Sequence, residues 1–431
     1  MELNKIDNKI NWNLILLFQE LRDCLPKNDL IQLSLINKAL RQRLKPRLFY
    51  HINFIKFPSN LDKFTYLKDI RGEVQIKAKV KQFIEEFKTI SKLVIELSIG
   101  DYFNLYFLSS TTLICNNLTQ LSFNLMHIPL TTMKKVLDNC KNLEGLLLQF
   151  VKVVEWTHSE FTINGLELPD NLKSLTIRSS FLERSPLESD PMTIDYIYYG
   201  RTLYISKLRL FNSKSNQLES IELSGYSEYD IIEINKFLET QTILISLSIQ
   251  GNIINQETFD ILQSLARLEN FTISGSDYNT NWKTVNIPSL TQLKSLKIYY
   301  PSFYTILSQD FVVKFPNLNS LTILYNEEFI DEVLKHPGLR KLTIYYQFLT
   351  KFQHELPPNN LRYLEIGLNS PYNIDFVSLK HCKELRILKI SDNSDKKKYL
   401  KEKLINYYKG MGDNWRVRVS SNNFTCYKLN T

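Results

Sequence analysis

The feature that most constrains this chain is a short apolar pattern, Leu-x-x-Leu-x-Ile, which recurs through most of its 431 residues. Clear copies begin at Leu118, Leu143, Leu172, Leu218, Leu244, Leu268, Leu293, Leu318, Leu339, Leu361 and Leu385. A more degenerate copy, Ile90/Leu93/Ile95, precedes them. From Leu218 onward, the copies follow one another every 21–26 residues. A fixed period in this range is typical of repeat proteins, in which each copy buries its apolar face only against its neighbours.

Each copy contains the elements of one strand and one return segment. Alternation across Leu-x-Ile is the period of a strand with one buried face. Between the strands, Thr258–Leu265 and Glu327–Leu334 carry apolar residues at helical spacing. Alternating strands and helices predict a parallel sheet that grows by one strand per repeat.

The pattern resembles the leucine-rich-repeat family over about 300 residues, from Ile90 to Asn393. It is most similar to the subclass with Cys or Pro before the first Leu, as at Cys140, Pro316 and Cys382. The resemblance implies an α/β solenoid like that of ribonuclease inhibitor. Such a solenoid is a horseshoe with a parallel sheet on its concave face and helices or irregular turns outside.

The repeat defines the expected domain organisation. Residues 90–394 form the repeat array, with an insertion or irregular repeat at about 179–216, where two clear copies are too far apart. Residues 1–56 form a separate helical module, and residues 57–89 form a linker or an N-terminal cap. Residues 395–431 predict a C-terminal cap of one helix and a strand pair that covers the last repeat.

The N-terminal module is similar to the F-box family. The matching segments are Leu25–Leu30, Leu33–Lys38 and Pro46–Tyr50. The family docks an adaptor of a cullin-type ubiquitin ligase, and an F-box before leucine-rich repeats is common in eukaryotic substrate receptors for protein degradation. The resemblance implies adaptor contacts at Leu16, Leu21, Leu25, Pro26, Leu30, Ile31, Ile36, Leu48 and Phe49. The alternative is that these helices only cap a stand-alone repeat scaffold, because solenoids need polar-faced ends.

The outward positions of the repeat strands are the candidate target-binding surface. They are small and hydroxylic in the early repeats and become Lys- and Tyr-rich later. The candidate residues on the concave face are Lys297, Tyr299, Lys341, Tyr345, Tyr363 and Lys389. Tyrosines on rigid strands suit protein binding, and three lysines favour an acidic ligand. The alternative is that Ser, Thr and Tyr simply suit exposed strand positions.

Composition and motifs argue against several other functions. The formal net charge of +8 comes from scattered residues, which argues against nucleic-acid binding. No apolar stretch is long enough for a membrane span, and the N-terminus does not read as a signal peptide. Five dispersed cysteines without a CxxC pair suit a reducing compartment, so we expect a cytoplasmic or nuclear protein. We find no catalytic, cofactor-binding or metal motif, and we expect a non-enzymatic protein with an unknown target protein as its partner.

Overall fold

The computed structural model describes most of the chain, in segments. They are residues 25–36, 38–55, 73–100, 103, 105–156, 167–185, 204–207, 218–226, 230–275, 285–299, 304–307, 310–345, 352, 354–368, 374, 379–392, 415–419 and 423–429. The chain divides into two compact units. Unit 1 comprises residues 1–172 and 180–208, and unit 2 comprises residues 173–179 and 209–431.

Unit 1 begins with helices and continues as repeats. Elements are numbered along the whole chain, so β7 belongs to unit 2. The helices of unit 1 are α1 (Lys27–Ile36), α2 (Lys38–Leu48), α3 (Glu73–Ser91), α4 (Leu105–Ile114) and α5 (Leu130–Asn139). Its strands are β1 (His51–Asn53), β2 (Glu96–Gly100), β3 (Gln120–Asn124), β4 (His127–Pro129), β5 (Gly145–Gln149), β6 (Lys152–Trp156), β8 (Phe181–Ser185) and β9 (Tyr204–Lys207).

The strands of unit 1 form two layers. In the first layer, β1, β2, β3 and β5 pair in parallel, with Leu97, Leu121 and Leu146 in register. The first copy of the motif is therefore Val94/Leu97/Ile99, and the predicted copy Ile90/Leu93/Ile95 was wrong by four residues. In the second layer, β4, β6 and β8 pair in parallel and β9 runs antiparallel to β8. The chain passes between layers through left-handed residues, Leu125 (φ 55) and Phe150 (φ 52). Left-handed backbone is uncommon outside glycine, and at these two positions it makes the sharp turn from one layer to the next.

Unit 2 is a longer stack of the same repeat. Its helices are α6 (Ile231–Glu239), α7 (Gln256–Ser264), α8 (Tyr304–Leu307), α9 (Phe311–Lys314) and α10 (Glu327–Leu334). Its strands are β7 (Ser174–Arg178), β10 (Ser220–Ser224), β11 (Ser246–Gln250), β12 (Asn270–Ser274), β13 (Ser295–Ile298), β14 (Ser320–Leu324), β15 (Lys341–Tyr345), β16 (Tyr363–Leu368), β17 (Ile387–Asp392), β18 (Trp415–Val419) and β19 (Asn423–Lys428).

All of the unit 2 strands from β7 to β17 pair in parallel with their neighbours. The motif residues align across the stack: Leu175, Ile221, Leu247, Phe271, Leu296, Leu321, Leu342, Leu364 and Leu388. These nine side chains are at most 1% exposed. The buried, in-register stack of Leu-x-x-Leu-x-Ile strands confirms the predicted α/β leucine-rich-repeat architecture.

The irregular stretch at about 179–216 contributes strands to the second layer of unit 1. Strand β7 pairs directly with β10, so none of the described residues between them adds a strand to the parallel sheet of unit 2. The described parts of the stretch, β8 and β9, pair antiparallel in the second layer of unit 1. Sequence spacing located this stretch, but it did not predict a hairpin outside the main sheet.

Asparagines at the turn before several of the strands link neighbouring repeats. In unit 1, Asn142 Nδ2 donates to Asn116 O (2.9 Å) and Asn171 Nδ2 donates to Lys141 O (2.9 Å). In unit 2, Asn317 Nδ2 donates to Thr291 O (2.6 Å). Each of these asparagines stands immediately before the first Leu of a motif copy. The recurring Asn-Leu pair is the sequence signal for these links.

The terminal strands of the two units pair differently. At the C-terminal end, β19 runs antiparallel to β17, and β18 runs antiparallel to β19. At the N-terminal end of unit 1, the short strand β1 pairs with β2. Among the described residues, no helix has the length and apolar character needed to cross a membrane.

Candidate binding surfaces

Helices α1 and α2 have one buried side that forms the core of the N-terminal module. Leu30 on α1 is 3% exposed, and Leu40 and Leu44 on α2 are 4% and 0% exposed. Arg41 Nε also donates to Ser34 O (3.2 Å), which ties the second helix to the first. The module is therefore a packed helix pair.

The other side of α1 presents apolar side chains to solvent. Ile31 is 39% exposed, Leu35 is 61% exposed and Ile36 is 66% exposed. Residues four apart are neighbours on a helix surface, so Ile31 and Leu35 lie together, and Ile36 is exposed about 100° further round the helix, at its end. We call these three residues the α1 patch. Adjacent apolar side chains open to solvent mark interaction sites more often than isolated ones do.

The predicted adaptor contacts divide into several environments. Pro26 is exposed, whereas Leu25, Leu48 and Phe49 are half-buried. Leu16 and Leu21 lie outside the described residues. Ile31 and Ile36 belong to the α1 patch, whereas Leu30 faces the module core. Sequence reasoning missed Leu35, although its spacing of four from Ile31 was a usable signal.

Hydrogen bonds also join the module to the repeat sheet of unit 1. The backbone N–H groups of Ile95 and Glu96 both donate to Tyr50 O (3.0 Å each). Lys45 Nζ on α2 donates to Thr89 O on α3 (3.4 Å). These bonds give the module a cap-like attachment to the first strands.

The second candidate surface is the outward side of the unit 2 sheet from β13 to β18, which we call the open face. Tyr299 and Tyr345 lie two strands apart, yet their ring centroids are 6.0 Å apart with an interplanar angle of 35°. Burial raises the pKa of Tyr299, and the neighbouring Tyr345 adds to the effect. The outward side chains Thr322 and Thr343 are only 7% and 4% exposed. Large side chains therefore already cover part of the open face.

Glu365 is the centre of a hydrogen-bond cluster on the open face. Its carboxylate accepts from Lys389 Nζ (2.7 Å), Ser391 Oγ (2.8 Å) and Tyr363 Oη (2.9 Å). The Glu365 side chain is only 12% exposed. Burial opposes ionisation, but the three donors outweigh it, and the pKa of Glu365 is held below its ordinary value. The cluster therefore contains a carboxylate that is ionised at neutral pH.

Tyr363 is held on both sides. The Lys341 ammonium lies 4.9 Å from the centre of its ring, within the range of a cation–π contact. Burial raises the pKa of Tyr363, and the hydrogen bond to the Glu365 carboxylate raises it further, so the phenol remains protonated. Lys341 on β15 therefore fixes its ring, and Glu365 on the same strand, β16, fixes its hydroxyl.

The structure brings five of the six predicted target-binding residues into two groups of contacts on the open face. Tyr299 packs on Tyr345, Lys341 lies over Tyr363, and Lys389 is joined to Tyr363 through Glu365. Lys297 lies on the same face in register with Thr322 and is exposed. Sequence reasoning missed Glu365 and Ser391. Glu365 on β16 lies directly opposite Lys389 on the adjacent strand β17. This pairing can be recognised only once the strand register is known.

The described part of the chain shows buried thiols and no metal-ligand cluster. Cys115, Cys140, Cys382 and Cys426 are buried free thiols. Burial raises the pKa of Cys140 to about 12, so the thiolate is not available at neutral pH. Among the described residues, no group of three or more His, Cys, Asp or Glu could hold a metal ion.

Comparisons with known proteins find likeness at the level of structure. No family model matches the chain, and no curated protein sequence matches it. One similar structure is that of Rad7 in a complex with Elc1 in yeast, at 15% identity and a TM-score of 0.34, covering 80% of this chain and 90% of that chain.

Two further structures are similar to a comparable extent. An internalin from Listeria monocytogenes is 16% identical with a TM-score of 0.33, covering 74% of this chain and 94% of that chain. A TLR13 chain, in a complex with single-stranded RNA, is 12% identical with a TM-score of 0.34, covering 70% of this chain and 43% of that chain. At these TM-scores, the fold assignment rests on the strand register of the chain itself.

Proposed function

We propose that this chain is a substrate receptor of a cullin-type ubiquitin ligase. The F-box-like module docks the ligase adaptor, and the open face of unit 2 binds a target protein. The chain performs no chemistry in this role. It holds the target near the ligase and so raises the target's effective concentration there. We place it in the cytoplasm or the nucleus, where its free thiols remain reduced.

The observation that carries the proposal is the exposed α1 patch. A helix that served only as a cap would bury its apolar side chains and present polar ones. Leu35 and Ile36 are 61% and 66% exposed on a helix whose other side is already packed. The patch lies within the segment that resembles the F-box, where an adaptor would bind.

The second candidate is a stand-alone scaffold whose helices only cap the solenoid. The backbone bonds from Ile95 and Glu96 to Tyr50, together with the burial of Leu44, favour a capping contribution. The two roles use different sides of the module. The buried side supports the end of the sheet, and the exposed side remains free for a partner.

The test is co-purification of the full chain with a ligase adaptor, using the double variant Leu35→Asp/Ile36→Asp. Both side chains are solvent-exposed, so the variant will fold while its patch becomes charged. Loss of a central apolar anchor typically costs 2 kcal/mol or more, so we expect the adaptor affinity to fall by about thirtyfold or more.

The matched control is Val313→Asp on α9. Val313 is 67% exposed, lies in unit 2 and undergoes the same apolar-to-acidic change. We expect it to bind the adaptor like the wild type. A folded wild type that binds no adaptor, or a patch variant that binds equally well, would reject the receptor function in favour of the scaffold.

A further inference from the structure

The open face carries positive charge in a regular arrangement that the linear sequence hides. The strand order at this end is β13, β14, β15, β16, β17, β19, β18. Because β19 and β18 run antiparallel, Arg416 pairs with Tyr427, and Tyr427 pairs with Ile387. Residues that pair directly across strands point to the same side of a sheet. The two arginines of β18, Arg416 and Arg418, therefore share the open face with Lys389.

Every second strand of this series contributes a cation. Lys297 lies on β13, Lys341 on β15, Lys389 on β17, and the two arginines lie on β18. Strands in a sheet are about 4.8 Å apart, so the strands that carry these cations are about 10 Å apart. Lys297 and Lys389 lie in one row across the sheet, and Lys341 lies in the next row, two residues along its strand. Among the described outward residues of β13–β18, Glu365 is the sole carboxylate, and it is bound to Lys389.

Extending the proposed target-binding function, we propose that the open face binds an acidic polypeptide segment in an extended conformation, running across the strands. The spacing carries the argument: three residues of an extended chain span about 10 Å, which matches the distance between the strands that carry the cations. A segment with Asp or Glu at every third position can place one carboxylate at each cationic strand. The tyrosines between them supply contact area with few rotatable bonds.

The state of the tyrosine rings favours a polypeptide over a single-stranded nucleic acid. Base stacking requires an open aromatic ring face. Here the Tyr299 and Tyr345 rings pack together, and the Lys341 ammonium lies over the Tyr363 ring. Lys297 and Lys341 are exposed, so carboxylates can reach their ammonium groups.

The test measures the binding of labelled synthetic peptides to the full chain without any adaptor, by fluorescence anisotropy. The probe is a Gly/Ser peptide with Asp at every third position. The comparison probes are a peptide of the same composition with its Asp residues adjacent, a Lys version of the first peptide, and oligodeoxythymidine. We expect the spaced Asp peptide to bind most tightly, and its affinity to fall as salt rises.

The informative variant is Lys297→Glu/Arg418→Glu, which reverses two exposed charges at well-separated strands of the face. Exposed ion pairs are each weak, so reversing two should weaken binding by about tenfold. The matched control is Lys236→Glu/Arg267→Glu. Both of its residues are exposed in unit 2, on α6 and on the turn after α7, away from the open face. The control should change the affinity by less than about twofold.

Three results would overturn the inference: no preference for the spaced peptide, tighter binding of the oligonucleotide, or equal loss of binding in both variants. Tighter oligonucleotide binding would identify the face as a single-strand nucleic-acid site. Because no adaptor is present, these outcomes are independent of adaptor docking. A chain that binds the spaced peptide but no adaptor would be an acidic-peptide receptor outside the ligase system.

Discussion

Replacing Phe329 by alanine will lower the free energy of unfolding by about 3–5 kcal/mol, the usual cost of removing a buried aromatic ring. Phe329 on α10 is 1% exposed. Its ring stacks on Tyr304, with centroids 4.6 Å apart, and meets Phe311 edge-on at 5.6 Å. The Tyr304 hydroxyl also accepts a hydrogen bond from the N–H of Leu324 (2.7 Å), at the end of β14. Loss of the ring therefore loosens the packing of helices α8, α9 and α10 and of the end of β14 together.

The effect is measured by urea unfolding, with Val313→Ala as the control. Val313 is 67% exposed, so its truncation should cost less than about 0.5 kcal/mol. A Phe329→Ala variant as stable as this control would show that the three rings do not form a packed core. Phe329→Leu refills part of the space, so its free energy of unfolding should lie between those of Phe329→Ala and Val313→Ala.

Replacing Glu365 by alanine will lower the free energy of unfolding by about 2 kcal/mol, because three hydrogen-bond donors lose a charged acceptor. The cost stays moderate since Lys389, whose side chain is 29% exposed, can turn toward water. The phenol of Tyr363 has less freedom, because Lys341 lies over its ring. Denaturation at pH 7 measures this cost, and Glu222→Ala on the same sheet is a more exposed control.

The same carboxylate makes stability depend on pH. The pKa of Glu365 is lower in the folded chain than its ordinary value of 4.5. Its contribution is therefore present above pH 4.5 and is lost as the pH falls through the lowered folded value. Glu365→Gln keeps the shape but removes the charge, so its unfolding free energy should fall less steeply in this acid range. If the unfolding free energy of Glu365→Gln fell as steeply with decreasing pH as that of the wild type, this would contradict an ionised, hydrogen-bonded Glu365.

The repeat could be predicted from sequence because each copy carries its own signal. Leu247 and Ile249 repeat at the period of a strand with one buried face, and both are fully buried in the structure. Helix α10 could be predicted as well, since Asn326 caps it and Phe329, Ile330 and Val333 lie on its buried side. Local periodicity and capping were sufficient in these segments.

The surfaces could be predicted only in part, because they depend on contacts between distant residues. The Lys and Tyr residues of the open face could be identified in the sequence as outward positions of the repeat strands. The role of Glu365 follows only from the register of β16 on β17. Arg416 and Arg418 join the face through an antiparallel strand pair, which no repeat period predicts. On α1, spacing alone did not separate the buried Leu30 from the exposed Leu35.

The most direct test of the receptor proposal is amide hydrogen exchange on the full chain, with and without the ligase adaptor. We predict that the adaptor slows exchange in α1 and α2, residues 27–48, and leaves the open-face strands from β13 to β17 unchanged. This result would show that the adaptor uses the exposed side of the N-terminal module and leaves the target-binding face free. Slowed exchange on the open face with no change in α1 and α2 would contradict the account.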